Sequence, residues 1–124
     1  MPVESVRPSQ QARDRLIKLK RLTSIPNWNS LCRWGFCTSL AEPSTPPDAN
    51  HPADSTIEMD WKTFAGEDQE IYWGLLKVRC VRDGLPTDDE TLHSQFRLHL
   101  HRGLSYLAGD KRIRTLDALL KTAE

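Results

Sequence analysis

The chain has 124 residues, 38% hydrophobic and 27% charged, the make-up of one ordinary globular domain with a modest core. No apolar run approaches the roughly 20 residues of a membrane span, and the opening MPVESVRPSQ lacks the apolar stretch of a secretory signal. A formal charge of zero conceals a strong asymmetry: residues 7–34 carry Arg7, Arg13, Arg15, Lys18, Lys20, Arg21 and Arg33 against the single acid Asp14, whereas residues 35–70 carry eight acids against Lys62. A basic quarter of this kind suits a polyanionic partner better than an averaged, solvated surface. Three cysteines, an odd number without framework spacing, favour a reduced, cytoplasmic setting.

In chain order, the alternation over residues 3–7 is compatible with a very short strand. Pro8-Ser9 then reads as a helix start with Ser9 as N-cap, and the helix runs to about Thr23. Ala12, Leu16, Leu19 and Leu22 or Thr23 form its inner face, with Arg13, Ile17 and Lys20 along one flank and Asp14, Lys18 and Arg21 along the other. Ile25-Pro26-Asn27 breaks it, and Asn27 can cap a second helix over about Trp28–Leu40. That helix is apolar nearly all round, through Leu31, Cys32, Trp34, Phe36, Cys37 and Leu40, with Arg33 its only charge. Part of it is therefore expected to be covered by a second subunit.

Residues 41–55 hold four of the eight prolines and read as a loop. Thr56–Phe64 alternates, with Ile57, Met59 and Trp61 on one face, and predicts a half-buried strand paired with the N-terminal one, in the same subunit or a neighbour. A third helix is expected from Gly66 and Asp68 to about Arg82, with Ile71, Leu75 and Val78, joined by Tyr72 and Leu76, as its inner stripe. Asp83-Gly84 stops it. Thr87-Asp88-Asp89-Glu90 reads as a capping box for a fourth helix to about Leu107, with Leu92, Phe96, Leu100, Leu104 and Leu107 inward. Thr115 is expected to cap a short last helix through Leu120. The fold class is mainly α, with a ribbon–helix–helix-like N-terminal part, two longer C-terminal helices and a small antiparallel two-stranded ribbon. Residues 1–124 form a single domain: strand, helix and helix over 3–40, the proline-rich loop over 41–55, and a strand with C-terminal helices over 56–124.

Several groupings could carry chemistry. A short strand, a Ser-started basic helix, a turn and a second helix is the layout of ribbon–helix–helix DNA-binding modules. In that reading Arg7, Arg13, Lys18, Lys20 and Arg21 would meet phosphates, which position a protein without reading sequence. The competing reading of the same helix is a solvated charged face. Cys32 and Cys37 lie about 140° apart round a helix and cannot share a metal from one face. Buried inert thiols are the plainer reading of the cysteines. In His99-Leu100-His101-Arg102 the histidines point to nearly opposite sides, so a metal site is not expected. His101 and Arg102 could meet a phosphate or simply pack. Asp88, Asp89 and Glu90 are explained by their place in a first helical turn. No nucleophile–base pair, phosphate loop or HExxH motif is present, so no catalysis, cofactor or metal is expected.

The run Arg15-Leu16-Ile17-Lys18-Leu19-Lys20-Arg21-Leu22-Thr23 resembles the first helix of the DNA sulfur modification protein DndE family. So does Asn29 through Ser44, and so does Pro52-Ala53-Asp54-Ser55 leading into Glu58-Met59. Gln95 through Gly103, with Tyr106-Leu107-Ala108-Gly109-Asp110, is the most similar stretch. The likeness covers residues 6–120 in order. It implies a small, non-catalytic subunit of the DNA phosphorothioation machinery that forms tetramers and binds duplex DNA, with a preference for nicks, through surface lysines. It also implies partners that carry the catalytic steps: a cysteine desulfurase, an iron–sulfur ATP-pyrophosphatase-like protein and a large ATPase. Lys18, Lys20 and Arg21 sit on the matching helix. The rival reading is a sequence-specific ribbon–helix–helix repressor or antitoxin. A third is a sulfur-relaying enzyme that uses Cys32, Cys37 or Cys80.

Overall fold

The computed structural model describes residues 5–109. β1 (Ser5–Val6) leads into α1 (Gln10–Thr23) and α2 (Trp28–Ala41). After the proline-rich loop come β2 (Met59–Asp60), the short α3 (Trp61–Ala65), a 3₁₀ turn (Gly66–Asp68), α4 (Gln69–Arg82) and α5 (Asp89–Gly109). The protein is mainly α with one small antiparallel ribbon, as its sequence predicts. Val3 and the expected helix at Thr115–Leu120 lie outside the described residues.

α1 starts where its cap dictates: the Ser9 hydroxyl accepts from the Ala12 amide at 3.1 Å. It stops at Ser24, whose left-handed backbone (φ 60°) lets its amide donate to the Lys20 carbonyl. Ala12, Leu16, Leu19 and Thr23 are its buried stripe. α5 crosses α2 and α1, and its inward row is the predicted one, with Leu92, Phe96, Leu100 and Leu104 fully buried and Leu107 nearly so. The α2–α5 crossing is unusually close. A Cβ on Gly103 would fall 1.6 Å from the Gly35 carbonyl oxygen, so only glycine fits there.

Three expectations need correction, and a fourth, the covering of α2, is met in large part within the chain. The strand predicted over Thr56–Phe64 shrinks to Met59–Asp60, because the Asp60 carboxylate accepts from the Thr63 amide at 2.6 Å and starts a helix at Trp61. Ile57, Met59 and Trp61 are nonetheless buried. The alternation foretold burial rather than strand geometry. α2 is covered chiefly by its own chain: Phe36 is fully buried against Phe64, Tyr72, Phe96 and the His99 ring. Trp34 and Leu40 are only half-buried and Cys37 is exposed, so one edge of α2 remains open.

The inner face of α4 keeps the expected Tyr72 and Leu76 but turns away from the expected Ile71, Leu75 and Val78. Ile71, Leu75 and Val78 are exposed, with Val81 beside them, while Leu76, Arg79 and Cys80 are buried. The aromatic cluster of Phe36, Trp61 and Phe64 takes Tyr72 and Trp73 from the other side of the helix. Arg79 must also point inward to hold the chain that leaves α2, donating to the carbonyls of Leu40, Pro43 and Ser44 and pairing with Asp83 at 2.9 Å. Finally, the cap of α5 is Asp88, whose carboxylate accepts from the amide and hydroxyl of Thr91, one residue later than the predicted Thr87 box.

The ribbon is internal to one chain, with Ser5 opposite Asp60 and Val6 opposite Met59. Val6 points into the core and Arg7, just beyond the strand, pairs with Glu58 at 2.5 Å. The proline-rich loop is pinned from within by arginines. Arg97 donates to the Arg7 and His51 carbonyls, both at 2.6 Å, and Arg102 to the Ser39 and Ser44 carbonyls, both at 2.8 Å. A loop of this length keeps one course because guanidinium groups satisfy its carbonyls.

Candidate nucleic-acid interface

The basic residues of α1 do not form one flat patch. Lys18 and Lys20 are two residues apart, about 200° round the helix, and stand on opposite flanks of its outward arc. Lys18 is exposed along its stem, and its ammonium donates to the Ala108 carbonyl at 2.8 Å, capping the C-terminal end of α5. Lys20 lies over the Trp28 ring, 4.6 Å from its centroid, with the half-buried Arg13 on the same flank. Arg21 is exposed between them in the last turn, where a positive charge complements the helix dipole. Arg7 stands apart. It donates to the Ser55 carbonyl and to Glu58, so part of its charge is already answered. The arc from Lys20 through Arg21 to Lys18 thus holds three exposed cations, with Asp14 as its one acid.

On the Lys18 flank, α1 and α5 part to form a groove lined by Gln11, Asp14, Arg15, Lys18, Ser105, Ala108 and Gly109. Gln11, Arg15 and Ser105 also border a neighbouring cleft of about 290 Å³, closed on its far side by Pro47, Ala49 and His51 of the proline-rich loop and by Leu98, His101, Arg102 and Tyr106 of α5. Arg15 is half-buried at the junction. The two ion pairs among the described residues are Arg7–Glu58 and Arg79–Asp83, so Arg15 has no carboxylate partner there. The His51 ring stacks on that of His101, centroids 4.2 Å apart and planes 12° from parallel. Sequence spacing gave no hint of this cleft. His51 sits in a loop whose course is set by Arg97, and its neighbour His101 is far away in sequence.

The His99–Arg102 run is an internal clamp, and its phosphate reading is corrected. His101 accepts from the Ser9 amide through Nε2 and donates through Nδ1 to the Arg97 carbonyl, so it is neutral and fixes the start of α1. His99 Nδ1 lies 2.8 Å from the Ser39 hydroxyl, which also accepts from Arg102 Nε, and His99 Nε2 is buried without a partner among the described residues. Burial pushes both imidazoles down to about 4, the flanking arginines adding to the effect. Neither ring carries charge near neutrality. Arg102 is equally committed, to Ser39 and Ser44.

The thiols lack the surroundings that would activate them. Cys32 and Cys80 are buried and Cys37, against expectation, is exposed. Burial raises the Cys32 thiol to about 12 and raises Cys80 as well, and partial desolvation raises Cys37, with Arg33 only partly opposing it. Among the described residues no group of three or more His, Cys, Asp and Glu could hold a metal ion, and no helix is long and apolar enough to cross a membrane.

Comparison with curated proteins by sequence yields no match. In fold, the chain is similar to the crystal structure of DndE from Escherichia coli B7A involved in DNA phosphorothioation modification. The TM-score is 0.68 at 24% identity, over 84% of this chain and 95% of that one. It is also similar to a glycine-to-lysine mutant of DndE involved in DNA phosphorothioation, with a TM-score of 0.63 at 19% identity, over 84% of this chain and 97% of that one. Residues 5–115 match the family model described as DNA sulphur modification protein DndE. The chain belongs to the DndE family of DNA sulphur modification proteins.

Proposed function

We propose that this protein is a DNA-binding, non-catalytic subunit of DNA phosphorothioation, holding duplex DNA through the outward arc of α1 and favouring duplex that carries a nick. The observation that carries the reading is the set Lys18, Lys20 and Arg21, exposed on a single helix opposite its buried stripe and shared with only one acid. Arg13 supports the Lys20 flank, and Arg7, held by Glu58, contributes least. Cations of this kind neutralise phosphates and release counterions, which gives affinity without reading bases. The chemistry of sulfur insertion then falls to partners: a cysteine desulfurase, an iron–sulfur ATP-pyrophosphatase-like protein and an ATPase. The raised thiols support that division, since a sulfur carrier needs a thiolate.

The same reading makes the protein a cytoplasmic homo-oligomer, with a tetramer expected. The main support is the exposed apolar stripe of α4, formed by Ile71, Leu75, Val78 and Val81, with the open Cys37 edge of α2 as a lesser one. The repressor alternative loses its footing in the ribbon. Two strands paired within one chain, with Val6 turned into the core, do not present the two-subunit reading head it requires. Gel-shift titrations on intact, nicked and gapped duplexes of unrelated sequence test the proposal. Similar affinity across sequences with tighter binding at the nick is the expected result. Preference for one intact palindromic site would overturn it.

A further inference from the structure

We propose that the cleft between α1, α5 and the proline-rich loop is a pocket for one nucleotide unstacked from the duplex at a strand end, its base on the His51 and Tyr106 rings and its phosphate on Arg15. The inference rests on the DNA-binding reading above and adds to it the group that would tell a nick from intact duplex. Four features of the cleft select that chemistry. Arg15 is half-buried at its mouth with no carboxylate partner among the described residues, so its fork is left for an oxyanion. Tyr106 is 44% exposed and lines the cleft, and His51 borders it with a ring already stacked flat on His101. Pro47, Ala49 and Leu98 supply apolar wall, and among the described residues no carboxylate lines the cavity. Planar rings beside a cation are what sequence-tolerant binding of single-stranded nucleotides uses, because every base has a π-face.

Size and position agree with this. At about 290 Å³ the cleft sits at the lower end of small-ligand sites, which run from about 300 Å³ upward, so it suits one nucleotide rather than a large cofactor. It also adjoins the groove beside Lys18, with Gln11, Arg15 and Ser105 lining both. A strand whose duplex part lies on the α1 arc therefore has a path along that groove to the cleft for its last nucleotide. Among the described residues Asp14 is the only acid on that path. The pocket is preformed, since Arg97 fixes the His51 carbonyl and His101 is held at both ring nitrogens. Binding there carries little ordering cost.

The test uses the full chain and a nicked duplex with 5-iodouracil placed at the nick terminus or, in a control duplex, several base pairs inside. Irradiation of the terminal probe is expected to cross-link His51 or Tyr106, mapped by mass spectrometry, and the interior probe is expected to leave both unlabelled. Tyr106→Ala and His51→Ala are each expected to lower affinity for nicked duplex about tenfold, the order of one lost base–aromatic stack, while affinity for intact duplex stays within about twofold. Free deoxynucleoside monophosphate separates a pocket for loose nucleotides from one for strand ends. Displacement of nicked duplex only at millimolar monophosphate is expected, whereas micromolar displacement would overturn the strand-end assignment. Cross-links mapping outside the cleft, or equal losses on nicked and intact duplex, would overturn the pocket and leave DNA binding standing. Failure of the unmodified protein to bind either duplex would overturn both.

Discussion

Replacing Gly103 by alanine probes the packing on which the whole architecture depends. The new methyl carbon would sit 1.6 Å from the Gly35 carbonyl oxygen, 2.3 Å from its carbonyl carbon and 2.9 Å from its Cα. Carbon–oxygen contacts become comfortable only from about 3.3 Å, so the two helices would have to part by about 1.7 Å at their crossing. Overpacking relieved by side-chain movement costs about 1–3 kcal/mol. Here the obstacle is backbone, which places the cost at or above about 3 kcal/mol. A mid-helix Gly→Ala change returns about 1 kcal/mol through helix propensity, leaving a net loss of about 2 kcal/mol or more. For a chain of this size that is a fall in Tm of about 8 °C or more. Gly74, in the interior of α4, has nothing within 4 Å of its would-be Cβ. Gly74→Ala should therefore raise Tm by about 4 °C. Thermal melts followed by circular dichroism measure both. A Gly103→Ala protein that melts at or above the parent temperature would refute the close crossing, because propensity alone predicts that outcome.

Arg79→Ala should destabilise the protein by about 3–5 kcal/mol, since it strands the buried Asp83 carboxylate and frees the carbonyls of Leu40, Pro43 and Ser44; urea denaturation measures the change. Acid should destabilise through His99 and His101. Both are held below their ordinary value of 6.5, at about 4 in the folded state, so the unfolded chain binds protons that the folded one refuses. Stability is full above pH 6.5 and falls between there and about pH 4, at about 1.4 kcal/mol per pH unit for each histidine. Urea midpoints across that window check the slope, and a His101→Asn variant should flatten it. Lysine at both Leu75 and Val78, each exposed, should leave the fold intact and split the oligomer, whereas Asp at the fully buried Phe36 should unfold the chain. Light scattering with far-UV circular dichroism separates the two. A tetramer that survives the α4 lysines would place the interface elsewhere.

What could be read from the sequence was what is local. The Ser9 cap, the inner stripe of α1 and the Leu92-to-Leu107 row of α5 each depend on neighbours within a few residues, and each stands in the structure. What could not be read depends on which distant surface an element meets. α4 carries two candidate apolar faces, and the aromatic cluster built by α2 and α3 decided between them. The all-round hydrophobicity of α2 demanded cover, and a 21-residue α5 with Trp61 and Phe64 of α3 supplies most of it within one chain, leaving the Cys37 edge open. At the candidate site, periodicity placed the basic residues on one helix and divided them between two flanks. It assigned Lys18 to the flank shared with Arg21, and the structure turns its ammonium to the end of α5. Arg15 was counted in the basic run, yet its place at the mouth of a cleft needed the fold, because the opposite wall comes from a loop pinned by Arg97.

The most direct test of the central claim is the salt dependence of duplex binding, measured by fluorescence anisotropy on one nicked duplex for the parent protein and for the Lys18→Glu, Lys20→Glu, Arg21→Glu triple variant. Each phosphate neutralised contributes about −0.9 to the slope of log affinity against log salt. Three contacts per subunit predict a slope near −2.7 for one engaged subunit, and steeper for an oligomer that engages several. The triple variant should bind more weakly on every sequence and show a slope shallower by about 2.7 for each subunit engaged. A flat salt response in the parent protein, or an unchanged slope in the triple variant, would contradict the assignment of DNA to the α1 arc.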